Sequence, residues 1–201
     1  MKGLISFSLY GDDPRYTKNC IKNKPLADKY YPGWDVRFYY DKTVPEETVD
    51  ILKDQGCETI DMTESEFHGV IWRCLAVDDE NYDAVIVRDA DSCLTFRERE
   101  AVNEWLESEE TLHSMTEWLT QSGALRRDYW HVSGYTWEDQ DFLSMLCSPG
   151  IHAKDVLAHD DWLRHTDKQN TVPFPTSPRP RQHVGYAFLD PSEEIEKDPS
   201  E

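Results

Sequence analysis

The sequence predicts an α/β fold: a mostly parallel sheet of the nucleotide-binding kind, flanked by helices, forming a single domain over residues 3–190. Short β-prone runs alternate with helix-like stretches from residue 3 to residue 91, the pattern that a parallel sheet leaves in a chain. The run Val85, Ile86, Val87 enters a core and then stops on Asp89 and Asp91, two carboxylates one residue apart. At 201 residues one domain is the default, and a chain of this size buries roughly 70% of the surface it exposes when unfolded.

Taken in order, GLISFSLYG reads as a first strand closed by Gly11, and DPRYTKNCIKNKPLADKYYPG as a helical stretch interrupted at Pro25 and stopped at Pro32-Gly33. WDVRFYYD is a second strand. TVPEETVDILKDQG carries helix signals: Thr43 as a cap, Pro45 near the first turn, early glutamates, apolar Val49 and Leu52, and Gly56 as the stop. CETIDM is a third strand. Phe67, Val70, Ile71, Cys74, Leu75 and Val77 recur at a helical period and predict a helix leading into the strand DAVIVRD. FREREAVNEWLESEE and WEDQDFLSMLC are further helices. From residue 166 the chain is proline-rich and extended, and residues 191–201 read as a disordered acidic tail.

Forty acidic against 21 basic residues give a net charge of -19, which repels a phosphate backbone and disfavours nucleic acid as a partner. An anionic ligand would need charge cancelled inside its site, and a divalent cation does that. The five cysteines are odd in number, scattered, and form no C-x-x-C pair, so a reducing cytosol is the simplest context. The chain reads as carrying neither a signal peptide nor a membrane span.

In a parallel sheet, ligands bind beyond the carboxyl ends of the strands, where Asp89 and Asp91 fall. Two carboxylates so spaced can hold one Mg²⁺ or Mn²⁺, which takes oxygen ligands and is shared with substrate phosphates. In a chain this rich in aspartate the same D-x-D also arises by chance. An EF-hand loop would use Asp89, Asp91 and Glu100 as positions one, three and twelve, but it fails at Cys93 and at Leu94, where glycine is required. Asp139, Gln140 and Asp141 begin a predicted helix, where acidic residues also serve as dipole complements. His159 precedes Asp160 and Asp161, and an imidazole can complete a carboxylate coordination shell.

The ordered set ISFSLYGDDPRY, FHGVIWRCLAVDD, VIVRDADS, DQDFL, HDD and VGYAFLD resembles the GT-A-fold glycosyltransferases, especially a small bacterial and viral group akin to glycosyltransferase family eight. The resemblance covers about residues 3–190. It implies transfer of a sugar from a nucleotide-sugar donor, a UDP-sugar by family habit, to an acceptor the sequence does not specify. It implies Asp89 and Asp91 as ligands of Mn²⁺ or Mg²⁺ on the donor diphosphate, with His159 as a late metal ligand. Arg73, Arg88 and Arg164 would contact donor phosphate or sugar. Leu9, Tyr10 and Gly11 would form the base-binding turn, with Tyr10 or Tyr16 free to stack. Asp139, Gln140 and Asp141 would line the reacting centre as catalytic residues.

The family's glycine-rich acceptor stretch has no counterpart in TEWLTQSGALRRDYWHVSGYTW. A non-catalytic module binding a nucleotide sugar or glycan therefore stays open as an alternative. A sugar nucleotidyltransferase is the other, although SLYGDDPRY is a poor phosphate loop. The expected location is the cytoplasm, that of the host if the protein is viral.

Overall fold

The computed structural model describes residues 1–116, 156–160 and 171–176. By internal contacts the described chain separates into two compact units, one on residues 1–94 and the other from Thr95 onward.

The first unit is α/β. Its strands β1 (Gly3–Leu9), β2 (Asp35–Tyr40), β3 (Glu58–Asp61) and β4 (Ala84–Asp89) form one parallel sheet in the order β3-β2-β1-β4. Every residue of β1 is buried, as expected of a central strand covered on both faces. Successive side chains alternate between those faces. Leu4, Tyr39 and Val85 pack with Trp72 and Ala76 of a 3₁₀ helix, Gly69–Asp78. Ile5, Phe7, Leu9, Val36 and Phe38 fill the other face, where paired residues Phe7 and Phe38 stack at 4.7 Å. The apolar residues for that side come from α2 (Asn23–Tyr30), which buries Leu26 and Ala27, and α3 (Glu46–Asp54), which buries Val49 and Leu52.

Two local expectations are corrected. Pro25 does not interrupt a helix: a single turn, α1 (Pro14–Thr17), ends early and α2 begins at Asn23. That start places Pro25 in the first turn of α2, where a missing N–H breaks no intrahelical bond. Thr43 does not cap α3, whose cap position is Pro45 without a side-chain bond. Instead the Thr43 hydroxyl donates to Asp41 and accepts from the N–H of Gly11 at 2.6 Å, joining the turns that follow β1 and β2. Gly56 ends α3 as expected, at φ +83° in the left-handed region that favours glycine.

The stretch predicted as a helix before β4 is a 3₁₀ helix of ten residues, long for that geometry. Its cause is on β1. Ser6 donates its hydroxyl to the carbonyl of Arg73 at 2.8 Å, and Ser8 accepts the N–H of Arg73 at 2.9 Å. The N–H of Arg73 is thus drawn to a strand hydroxyl and away from the i−4 carbonyl that an α-helical ladder would give it, while the Ser6 bond holds its carbonyl to the same strand. Ser8→Ala removes the hydroxyl that accepts the buried N–H of Arg73, so we expect a loss of about 0.5–1.5 kcal/mol, read as a lower urea midpoint. Arg37, buried on the same face of the sheet, ties β2 to Glu58 on β3 and to Asp79 at the end of the 3₁₀ helix, each at 2.7 Å.

The second unit begins with α4 (Phe96–Glu107), capped by Thr95, which accepts the N–H of Glu98 at 3.1 Å. Its sheet runs β5-β6-β7, made by β5 (Leu112–Thr116), β6 (Val156–Asp160) and β7 (Thr171–Val172), all parallel. β7 lies inside the segment expected to be merely extended. No helix among the described residues is long and apolar enough to cross a membrane.

Candidate functional site

β1 is flanked by β2 on one side and β4 on the other, so the connections leave it in opposite directions and open a crevice beyond its carboxyl end. The loops after β1 and β4 meet there. Asp13 accepts the N–H of Arg15 at 2.8 Å, and Pro14 takes the first helical position, a combination that starts the single turn carrying Arg15. The Arg15 guanidinium reaches the Asp91 carboxylate at 2.6 Å. From the 3₁₀ helix, Arg73 pairs with Asp89. Fully buried Asn23 donates to the carbonyl of Ala90 at 3.2 Å and accepts the N–H of Leu94 at 3.4 Å, fixing the loop that presents both aspartates.

This quartet of two carboxylates and two guanidiniums is charge-balanced. Asp91 is only 6% exposed. Burial lifts its carboxyl above the usual range, the neighbouring Asp89 adds to the lift, and Arg15 opposes it. Burial likewise raises the Tyr16 phenol, with Asp91 contributing. Hard oxygen donors beside guanidinium forks suit a divalent cation and a diphosphate. Among the described residues no three His, Cys, Asp or Glu side chains converge to hold a metal ion. A cation here would rest on two protein carboxylates and take its other ligands from substrate or water, which is how Mg²⁺ is commonly held.

Beside the quartet, an open cleft of about 680 Å³ lies over the ends of β1 and β2, lined among others by Tyr10, Asp12, Asp41, Phe67, His68 and Trp72. Tyr10 and Phe67 are 42% and 57% exposed, while Trp72 is buried and donates its indole N–H to the carbonyl of Phe67 at 2.8 Å. Tyr10 meets His68 and Trp72 edge-on, at 5.9 and 6.1 Å. Gly69 makes this possible, since a methyl group there would come within 2.5 Å of the Tyr10 ring.

Of the residues that the sequence singled out, Asp89, Asp91, Arg73, Tyr10, Gly11 and Tyr16 stand at or beside the carboxyl ends of β1 and β4 in the first unit. Leu9 is 1% exposed, so its side chain belongs to the core. Arg88 pairs in register with Phe7, one residue before Asp89, so strand alternation turns it to the opposite face of the sheet from Asp89. Asp139, Gln140, Asp141 and Arg164 lie outside the described residues.

His159 belongs to the second unit and is fully buried. Its Nδ1 lies 2.7 Å from Nε2 of His113, and its Nε2 lies 3.2 Å from the carboxylate of Glu104. Both nitrogens are therefore engaged, and binding a metal would require one contact to break. His113 stacks on Trp105 at 5.6 Å, and burial, with His159 beside it, pushes its pKa down to about 3, so its ring is neutral at physiological pH.

Sequence reasoning missed Arg15, Asn23, Ser6 and Ser8. For the serines a signal existed: two hydroxyls at alternate positions of an otherwise apolar strand share one face and need a polar partner there. Arg15 and Asn23 had none, because their partners lie 76 and 67 residues away, at Asp91 and Ala90. No protein-family model matches the chain, and comparison with curated proteins finds no match.

Proposed function

We propose that the protein is a metal-dependent glycosyltransferase with a GT-A-like fold that takes its sugar from a nucleotide-sugar donor. The observation that supports this reading best is the quartet Asp89, Asp91, Arg73 and Arg15 at the switch point of the sheet, next to an aromatic-walled cleft. The cleft wall carries the exposed residues Tyr10 and Phe67, aromatic groups of the kind on which a nucleobase would stack. The two guanidiniums provide paired donors for a diphosphate. The chemistry a Mn²⁺ or Mg²⁺ ion supplies at the aspartates is neutralisation of charge on the departing diphosphate. Arg73 enters with its main chain already fixed to β1, so the point from which its guanidinium would reach a phosphate needs no ordering on binding.

Calorimetric titration of nucleoside diphosphates, with and without Mn²⁺, tests the reading. Binding that requires Mn²⁺ is the expected result, and no binding under either condition overturns it. Donor turnover, followed as nucleoside diphosphate release, then separates a transferase from a module that only binds the donor.

A further inference from the structure

We infer that the aromatic cleft selects guanine, making the donor a guanosine diphosphate sugar and not the uridine one that the family resemblance suggests; the inference rests on the nucleotide-sugar reading above. It comes from the polar groups on the cleft wall. Asp41 accepts the N–H of Thr43 at 3.0 Å as well as its hydroxyl, and that hydroxyl accepts the N–H of Gly11. Both bonds to Asp41 fall on its Oδ1, which is thereby committed to the turn.

Asp12 differs. It lines the same cleft, is exposed, and has no hydrogen-bond or ion-pair partner among the described residues. An ionised carboxylate only accepts hydrogen bonds, through two oxygens side by side. Guanine is the one common base whose pairing edge presents two adjacent donor groups, N1–H and N2–H₂, to match them. Uracil offers a single N–H between two carbonyl oxygens, which a carboxylate repels. Adenine and cytosine place a ring-nitrogen lone pair beside their amino group, again facing an acceptor. A site that hydrogen-bonds one base edge rejects the others more strongly than an apolar pocket can. The exposed rings of Tyr10 and Phe67 favour the same answer, because a bicyclic base covers more ring surface than a pyrimidine.

Titration of GDP, UDP, ADP and CDP in Mn²⁺, on the full chain and on Asp12→Asn, decides it. GDP is expected to bind at least about tenfold more tightly than the other three, and Asp12→Asn to remove that preference by weakening GDP about tenfold, or about 1.4 kcal/mol. UDP binding as tight as GDP, or a GDP preference that survives Asp12→Asn, overturns the guanine inference and leaves the nucleotide-sugar reading standing. No binding of any nucleotide overturns both. Asp12 is exposed and has no partner among the described residues, so the variant should melt at the wild-type temperature, and a loss of GDP affinity then reports on the cleft.

Discussion

Asp91→Asn is expected to weaken Mn²⁺-dependent nucleotide binding by roughly 100-fold or more, since even outer-shell partners of metal ligands are worth about 10–100-fold. The same change should leave the fold as stable as the wild type, or more so, at pH 7. Burial, with Asp89 nearby, raises the folded-state pKa of Asp91 above its ordinary value. A carboxyl shifted in that direction binds its proton more tightly in the folded state, so its contribution to stability is greatest in acid. That contribution declines as pH rises from the unfolded value, about 3.9, through the higher folded one. Asparagine imitates the protonated form and escapes the decline. Thermal melts at pH 7 and pH 3.5 should therefore show the variant at or above wild type at pH 7 and the difference shrinking in acid. Retained Mn²⁺-dependent binding in the variant would remove Asp91 from the site. A melting point far below wild type at pH 7 would mean that the Arg15 ion pair outweighs desolvation.

Phe7→Ala should be the most destabilising single change in the sheet, at about 3–5 kcal/mol, the usual cost of truncating a buried phenylalanine. Phe7 and Phe38 are both 0% exposed and stack with their planes 11° apart, so the alanine leaves a cavity on the central strand and strips Phe38 of its partner. Against the roughly 5–15 kcal/mol by which domains are stable, that is a large fraction. Urea denaturation should show the midpoint falling with the slope unchanged; a midpoint near wild type would mean that α2 and α3 collapse onto the gap.

The four strands of the first sheet were legible because their runs are short and β-prone and because glycine or proline marks the end of β1 at Gly11 and of the intervening helical stretches at Pro32-Gly33 and Gly56. The 3₁₀ helix was legible only as something helical. The period of Val70, Ile71, Cys74 and Leu75 marks the stretch as helical but not its buried side, which Trp72, Arg73, Cys74 and Ala76 make, and the departure from α geometry is set by Ser6 and Ser8, more than sixty residues earlier. Strands β5 and β6 escaped notice because LHSMT and VLAHD each mix apolar with polar residues over five positions, too short for a period-2 pattern to rise above chance. In the site, Asp89 and Asp91 stood out because carboxylates ending an apolar run conflict with their surroundings. Their counter-ions did not, because an arginine in a polar loop looks the same whether it meets water or a distant aspartate.

The anchoring of the Arg73 main chain to Ser6 and Ser8 separates two parts of the molecule that sequence order places side by side. The position of the guanidinium is referenced to the central strand, whereas Phe67 and His68 hang on the loop that follows β3. That loop can change composition over residues 63–67 and reshape the wall of the cleft while His68 stays as the cap of the 3₁₀ helix that carries Arg73. Cleft shape and charge balance are thereby separately variable, and exchanging residues 63–67 is the place to alter the former while leaving the latter as it stands.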